Sequence, residues 1–85
     1  MPEISRFYGI TIYIFYNEHS SPHFHAEYAG HKIIITIKDR IVKGNMPNRA
    51  LKLIFEWLDL YEEQLLENWE LSVQGLPLKN IKPLE

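Results

Sequence analysis

The segment SPHFHAEYAG, residues 21–30, concentrates the side chains of this chain that could do chemistry. His23, His25 and Glu27 occupy alternate positions, and alternate side chains of a β-strand project from the same face about 6.5–7 Å apart. His19 lies in the stretch that precedes them. Three interpretations are open: a metal site, acid–base chemistry without a metal, and a structural role.

The metal interpretation rests on the combination of ligands. Two imidazoles and one carboxylate form the ligand set of many zinc and non-haem iron centres. The ligands would be His23, His25 and Glu27, with His19 replacing Glu27 or completing a tetrahedron. Zn or another divalent metal is the cofactor in this alternative, and no cofactor is expected in the others. The chain contains no cysteine, which excludes a thiolate metal site and a disulfide framework.

The acid–base interpretation is a metal-independent ribonuclease. Near neutral pH, one histidine can deprotonate a ribose 2′-hydroxyl and a second can protonate the leaving oxygen. His23 and His25 are the catalytic candidates. Such a site also needs cations that hold the phosphate and an aromatic ring on which a base can stack. The candidates for phosphate are Lys32, Lys38 and Arg40, and the candidates for the base are Tyr13 and Phe15.

The structural interpretation assigns no chemistry to the cluster. In it, His19 and His23 bond backbone groups of the turn NEHSSP, residues 17–22. His25 fills a half-buried position of the sheet beside an aromatic side chain. This structural role is the default for any one histidine of a strand. The metal and acid–base interpretations stay open beside it.

The elements that must position these side chains begin with four predicted strands. Residues 7–16, 23–29, 31–39 and 40–44 are rich in β-branched and aromatic side chains and are separated by Gly, Pro, Asn, Asp and Ser. The connections are too short for parallel crossovers, which predicts an antiparallel meander. Alternation places the isoleucines on one face and the histidines, lysines and several aromatic side chains on the other.

A long helix is predicted after the strands. Pro47 is typical of a helix start, and Gly75 followed by Pro77 is typical of a helix end. A straight helix between them would measure about 40 Å and would overhang a small sheet, which favours a bend near residues 60–64. The apolar positions at helical spacing are Ala50, Ile54, Trp57, Leu58, Tyr61, Leu65 and Trp69.

The predicted fold class is α+β: a four-stranded antiparallel β-meander with one long C-terminal helix, which could be kinked, packed on one face. Residues 1–85 form a single domain, with the meander at 1–45, the helix at 47–75 and a tail at 76–85. One helix can cover only one face of the sheet, and the isoleucine face should lie under it. The uncovered face is too aromatic to be merely solvated, so it is either a partner surface or a site.

Charge and composition limit the class of protein. The net charge is −2; residues 1–49 carry six Lys and Arg against four Asp and Glu, and residues 50–85 carry three Lys against seven. This imbalance is too mild to indicate nucleic-acid binding by itself. The N-terminus has no signal-peptide pattern, and no stretch approaches the roughly 20 apolar residues of a membrane helix. With the lack of cysteine, these features favour a cytoplasmic protein without a membrane partner.

Four segments of the chain resemble a known family. They are PEISRFYGI at residues 2–10, YNEHSSPHFHAEY at 16–28, MPNRALKLIFEW at 46–57 and LLENWELSVQGLP at 65–77. They are similar to the small bacterial proteins grouped as the domain-of-unknown-function family 4160. The resemblance implies a short, stand-alone protein that is often encoded beside another short domain, as in toxin–antitoxin-like gene pairs. It implies a toxin, an antitoxin or a regulator, and it assigns no catalytic residues.

Together, the residues and the resemblance predict a small component of a toxin–antitoxin-like module. It would bind a cognate small protein encoded nearby, and could also bind RNA, through the face that carries His, Lys and aromatic side chains. One alternative is a metal-binding module that uses the His/Glu cluster. The other is a structural homodimerisation domain without catalysis, paired through the uncovered face or an edge strand.

Overall fold

The computed structural model describes residues 3–16 and 20–85. These residues form one antiparallel sheet, in which each strand pairs with its neighbours in sequence, and one long helix. The predicted α+β fold, a meander followed by a C-terminal helix, is confirmed. The elements are β1 Glu3–Phe7, β2 Ile10–Tyr13, β3 His23–Tyr28, β4 His31–Thr36, β5 Val42–Lys43 and α1 Asn48–Val73.

The sheet has five strands where the sequence pattern predicted four. Residues 7–16, predicted as one strand, are divided by a turn at Tyr8 and Gly9, whose φ values are 50° and 80°. A positive φ at both central residues is the geometry of the two-residue type I′ hairpin, whose twist matches that of the flanking strands. The chain therefore reverses at Gly9, and residues 3–7 add an extra strand beside β2.

The core lies between the isoleucine face of the sheet and α1. The helix bends at Tyr61 (φ −123°, ψ 25°), inside the predicted interval of residues 60–64. The bend keeps the helix on the sheet, because 26 straight residues would span about 39 Å and the molecule is 33 Å in its longest dimension. Buried core side chains include Ile10, Ile12, Ile14, Phe24, Ala26, Ile33, Ile35 and Ile37 from the sheet segment and Ala50, Ile54, Trp57, Leu58, Leu65 and Trp69 from the helix.

Residues 76–85, predicted as a tail, have no regular secondary structure but pack on the core. Ile81 is buried, and its N–H donates to the carbonyl oxygen of Ile4 in β1 at 2.8 Å. The segment 79–82 is called the C-terminal strap below. The strap joins β1, an edge strand of the sheet, to α1.

Two side chains of α1 hold the C-terminal strap. Asn68 is buried; its Nδ2 donates to the carbonyl oxygen of Lys79 at 2.9 Å, and its Oδ1 accepts from the N–H of Lys79 at 2.8 Å. On the other side of the bend, Nε1 of Trp57 donates to the carbonyl oxygen of Lys82 at 2.9 Å. The strap therefore bonds to both halves of the bent helix.

Candidate functional site

The face of the sheet opposite α1 is called the open face. The strand register sets its cross-strand neighbours: Tyr13 lies opposite His25, His25 opposite Ile34, and Ile34 opposite Lys43. A second row runs parallel to the first, with Arg6, Thr11, Glu27 and Lys32 as successive neighbours. His23 and Thr36 form a further pair. The register therefore places His23, His25, Glu27 and Lys32 on one side of the sheet, as the alternation of residues indicated. The ring of His23, at the start of β3, is nevertheless buried against Trp69 of α1.

His25 sits in an aromatic cluster on the open face. Its ring stacks on Tyr13, with 5.3 Å between centroids and 11° between planes. It meets the ring of Phe15 edge-on at 4.6 Å and 74°. Both Phe15 and His25 are half-buried. This is the environment that the structural interpretation assigns to His25, and it also leaves His25 on the wall of a groove described below.

His23 is buried, with 5% of its surface exposed. Its Nδ1 lies 2.8 Å from the carbonyl oxygen of Ser21; because a carbonyl oxygen only accepts, Nδ1 carries the proton and donates. Oγ of Ser20 lies 3.2 Å from the same nitrogen. The ring also packs against Trp69 of α1 at 4.8 Å between centroids. The geometry supports the structural role of His23, which holds the chain ahead of β3, more than a catalytic one.

The two histidine rings are 5.4 Å apart and complete a continuous chain of aromatic contacts. The chain runs from Tyr13 and Phe15 through His25 and His23 to Trp69. The sequence pattern predicted Trp69 only as a core residue and contains no signal that it touches His23. The cluster thus links His23 directly, and His25 through His23, to the helix.

Tyr13 was a candidate for stacking a base, and its placement does not suit that role. Only 4% of its surface is exposed, because Phe15 and His25 cover it. Burial raises the pKa of Tyr13, and the nearby Glu27 carboxylate raises it further. Tyr13 therefore supports the His25 ring from behind and contributes only a small exposed part of its surface to the groove that His25 lines.

Two grooves adjoin each other on the open face and share Ile34 and Lys43. The first, called the His25 groove, has a volume of about 340 Å³. The second, called the His23 groove, has a volume of about 320 Å³. The His25 groove is lined by Tyr13, Phe15, His25, Lys32, Ile33, Ile34 and Lys43. The His23 groove is lined by Ser20, Ser21, His23, Ile34, Thr36, Asp39, Ile41 and Lys43.

The cations predicted to hold a phosphate separate into two groups. Lys32 lines the His25 groove, and the structure adds Lys43, which the sequence pattern did not single out. Lys38 is exposed but lines neither groove. Arg40 turns to the helix: its Nη1 donates to Asp59 at 2.9 Å, and its Nη2 donates to Glu62. Arg40 therefore does not join His25 on the open face.

The metal alternative takes three of its four candidate ligands, His23, His25 and Glu27, from the described residues. Within residues 3–16 and 20–85, no group of three or more His, Asp or Glu side chains is placed to hold a metal ion. His19, which that alternative included as a ligand, lies outside the described residues. The metal site therefore stays a prediction.

A larger but shallow concavity, of about 730 Å³, lies on the outer side of α1. Leu51 and Phe55 form its apolar part, and Lys52, Glu56 and Asp59 contribute its charges. It contains no histidine and no paired cations. The open face is therefore the better candidate for a functional site.

Comparison with known proteins identifies the family. Comparisons with curated proteins and with solved structures gave no match. Within the described residues, no helix has the length and apolar character needed to cross a membrane. A family model described as a domain of unknown function, DUF4160, matches residues 9–70, which run from the first hairpin turn into the second half of α1. The resemblance noted in the sequence is confirmed, and the chain belongs to the DUF4160 family.

Proposed function

We propose that this protein is the binding component of a cytoplasmic, toxin–antitoxin-like pair of proteins and that its open face docks onto the partner. The observation that carries the proposal is the exposed apolar surface of this face. Ile41 is 51% exposed beside the half-buried Ile34, and both line the His23 groove. Because α1 completes the core on the opposite face, burying Ile41 is not needed for folding.

The composition of the open face suits a protein partner. Protein interfaces have an apolar and aromatic centre with charged residues at the rim. Ile34 and Ile41 of the His23 groove supply such a centre, and the exposed Asp39 and Lys43 flank it. The resemblance to gene-paired members of the family supports the choice of partner, which is the small protein encoded beside this one.

The charge of the open face fits RNA less well. Three lysines, Lys32, Lys38 and Lys43, are offset by Glu27 and Asp39 on or beside the same face. Arg6, the arginine of the second cross-strand row, pairs with Glu3 of the same strand. Its Nη2 lies 2.7 Å from a Glu3 carboxylate oxygen. Affinity for a nucleic-acid backbone comes mainly from unpaired cations that neutralise successive phosphates, and this face supplies few.

Co-expression with the neighbouring gene product tests the proposal. The complex should elute as one species, and Ile41→Glu should weaken it by about 30-fold or more, as expected for loss of a central apolar contact. Leu60→Glu is the matched control, because Leu60 is 64% exposed but lies on α1. It should leave the affinity unchanged.

Four results would overturn the proposed function. No complex with the neighbouring protein would remove the partner. A complex weakened by Leu60→Glu and not by Ile41→Glu would move the interface to the helix. A homodimer that Ile41→Glu dissociates would assign the open face to self-association, and nucleic acid that co-purifies and is released by salt would assign it to RNA.

A further inference from the structure

The His25 groove has the features of a small-ligand site, which goes beyond the docking of a partner protein. We infer that it binds a single nucleotide, with the base against Phe15 and His25 and the phosphate at Lys32 and Lys43. Its volume of about 340 Å³ is at the lower end of the range of ligand sites, which are mostly apolar with a few convergent polar groups. The groove has this composition.

The two lysines converge because of the strand register. Lys43 lies directly opposite Ile34, and Lys32 precedes Ile34 by two positions on the same strand and face. Both Cβ atoms are therefore within about 7 Å of the Ile34 side chain. Both lysines are exposed and line the groove, so two ammonium groups can reach one anion there.

Two carboxylates lie near an anion at this position, and neither lines the His25 groove. Glu27 lies opposite Lys32 on the side away from β5. Asp39 lines the adjoining His23 groove, together with Lys43. A phosphate is therefore favoured between Lys32 and Lys43, inside the His25 groove. Two cations with two carboxylates nearby can hold a single phosphate and not a backbone of several, which is why the inference is a mononucleotide.

The aromatic wall suits a planar base. Phe15 and His25 meet at 74°, so the two rings form a corner in which a flat group can stack on one ring and touch the edge of the other. Tyr13 stacks behind His25 and holds that ring in place. A sugar and a phosphate attached to the base would then extend along Ile34 towards the lysines.

Titration with uridine 5′-monophosphate tests the inference, with amide chemical shifts and calorimetry as readouts. The nucleotide should bind with a Kd of about 0.1–1 mM and shift the amides of Ile34 and Lys43, and uridine or inorganic phosphate alone should each bind about tenfold more weakly. Absence of binding at about 5 mM would overturn the inference. A short oligouridylate that binds more than about tenfold tighter would replace the mononucleotide with an RNA strand.

Charge reversals separate the groove from general electrostatics. Lys43→Glu and Lys32→Glu should each weaken binding of the nucleotide by about tenfold or more. Lys52→Glu makes the same charge change on α1 and should have no effect. Equal weakening by all three would show non-specific attraction and would overturn the inference. All three side chains are exposed, so the fold is expected to be kept.

The result is distinguishable from the test of the proposed function. Phe15→Leu should weaken the nucleotide and uridine by about the same factor, roughly threefold to tenfold, because it removes stacking, and should not change the affinity for inorganic phosphate. The docking test relies on Ile41, which lines the other groove. Partner binding without nucleotide binding by the unmodified protein overturns this inference alone, and nucleotide binding without partner binding overturns the proposed function alone. If Phe15→Leu leaves nucleotide binding unchanged, the assignment of the base to the aromatic corner is wrong.

Discussion

Replacing Asn68 tests whether the C-terminal strap is part of the stability of the fold. Its side chain is 1% exposed and makes two hydrogen bonds with the backbone of Lys79, at 2.9 and 2.8 Å. Asn68→Ala removes both bonds, each with a net contribution of about 1 kcal/mol, and leaves a backbone donor and acceptor without partners at a cost of about 1 kcal/mol more. We expect the free energy of unfolding to fall by about 2–4 kcal/mol, from a total of about 4–13 kcal/mol for a domain of this length.

Urea unfolding measures the change, and hydrogen exchange locates it. The amide of Ile81, which donates to Ile4, should lose more protection than amides in the centre of β3. Gln64→Ala is the control, since Gln64 is exposed on the same helix, and should change stability by less than about 0.5 kcal/mol. A loss below about 1 kcal/mol for Asn68→Ala, or unchanged protection of Ile81, would refute the role given to the strap.

Three further predictions concern backbone conformation and pH. Gly44→Ala should lower the free energy of unfolding by about 2–3 kcal/mol, because φ is 111° and a Cβ would lie 2.7 Å from the carbonyl oxygen of Lys32. Gly75→Ala should lower it by only about 1 kcal/mol, because φ is 72° but no atom lies within 4 Å of the added Cβ. Equal losses for the two variants in urea unfolding would contradict this prediction. Tyr8→Asn should stabilise by about 1 kcal/mol, because asparagine tolerates the positive φ of the turn; a lower urea midpoint would show that the ring makes compensating contacts. Burial raises the pKa of Tyr13, so the folded protein holds that proton more tightly than the unfolded chain and loses stability as pH rises above about 10. Tyr13→Phe should lose less stability than wild type between about pH 9 and 11, and parallel pH profiles would contradict the assignment.

The two faces of the sheet and the bent helix could be predicted from the sequence, because each follows from the regular spacing of apolar residues along the chain. Alternation in residues 31–37 separates the buried Ile33, Ile35 and Ile37 from the half-buried Ile34. Helical spacing identified the buried stripe of α1. The length of that stripe, compared with the size of a small sheet, indicated the bend at Tyr61.

The first hairpin and the cations of the open face could not be predicted in the same way. Residues 7–16 are strand-forming throughout, so Gly9 was the only local signal of a turn. Arg40 adopts a φ of 61°, and its guanidinium bonds carboxylates of α1. Lys43 reaches the groove through its register opposite Ile34. Both placements depend on turn geometry and pairing that a single sequence does not specify.

Asn68 carried a signal that can be recognised in retrospect. It follows Ala50 by eighteen residues, which is five full helical turns, so it lies on the buried stripe. A polar side chain at such a position needs a buried partner. The partner is the backbone of Lys79, in a segment without periodicity, and no sequence pattern could identify it.

The order of strands in the sheet has a consequence for the kinetics of folding. Because every strand pairs with its sequence neighbour, most native contacts close short loops, and such topologies fold faster than those with distant pairings. The hydrogen bond between Ile81 and Ile4 spans nearly the whole chain and should form after the transition state. Loosening the strap should then accelerate unfolding and leave the folding rate almost unchanged. The strap would set the lifetime of the native state, and the meander the speed at which that state is reached.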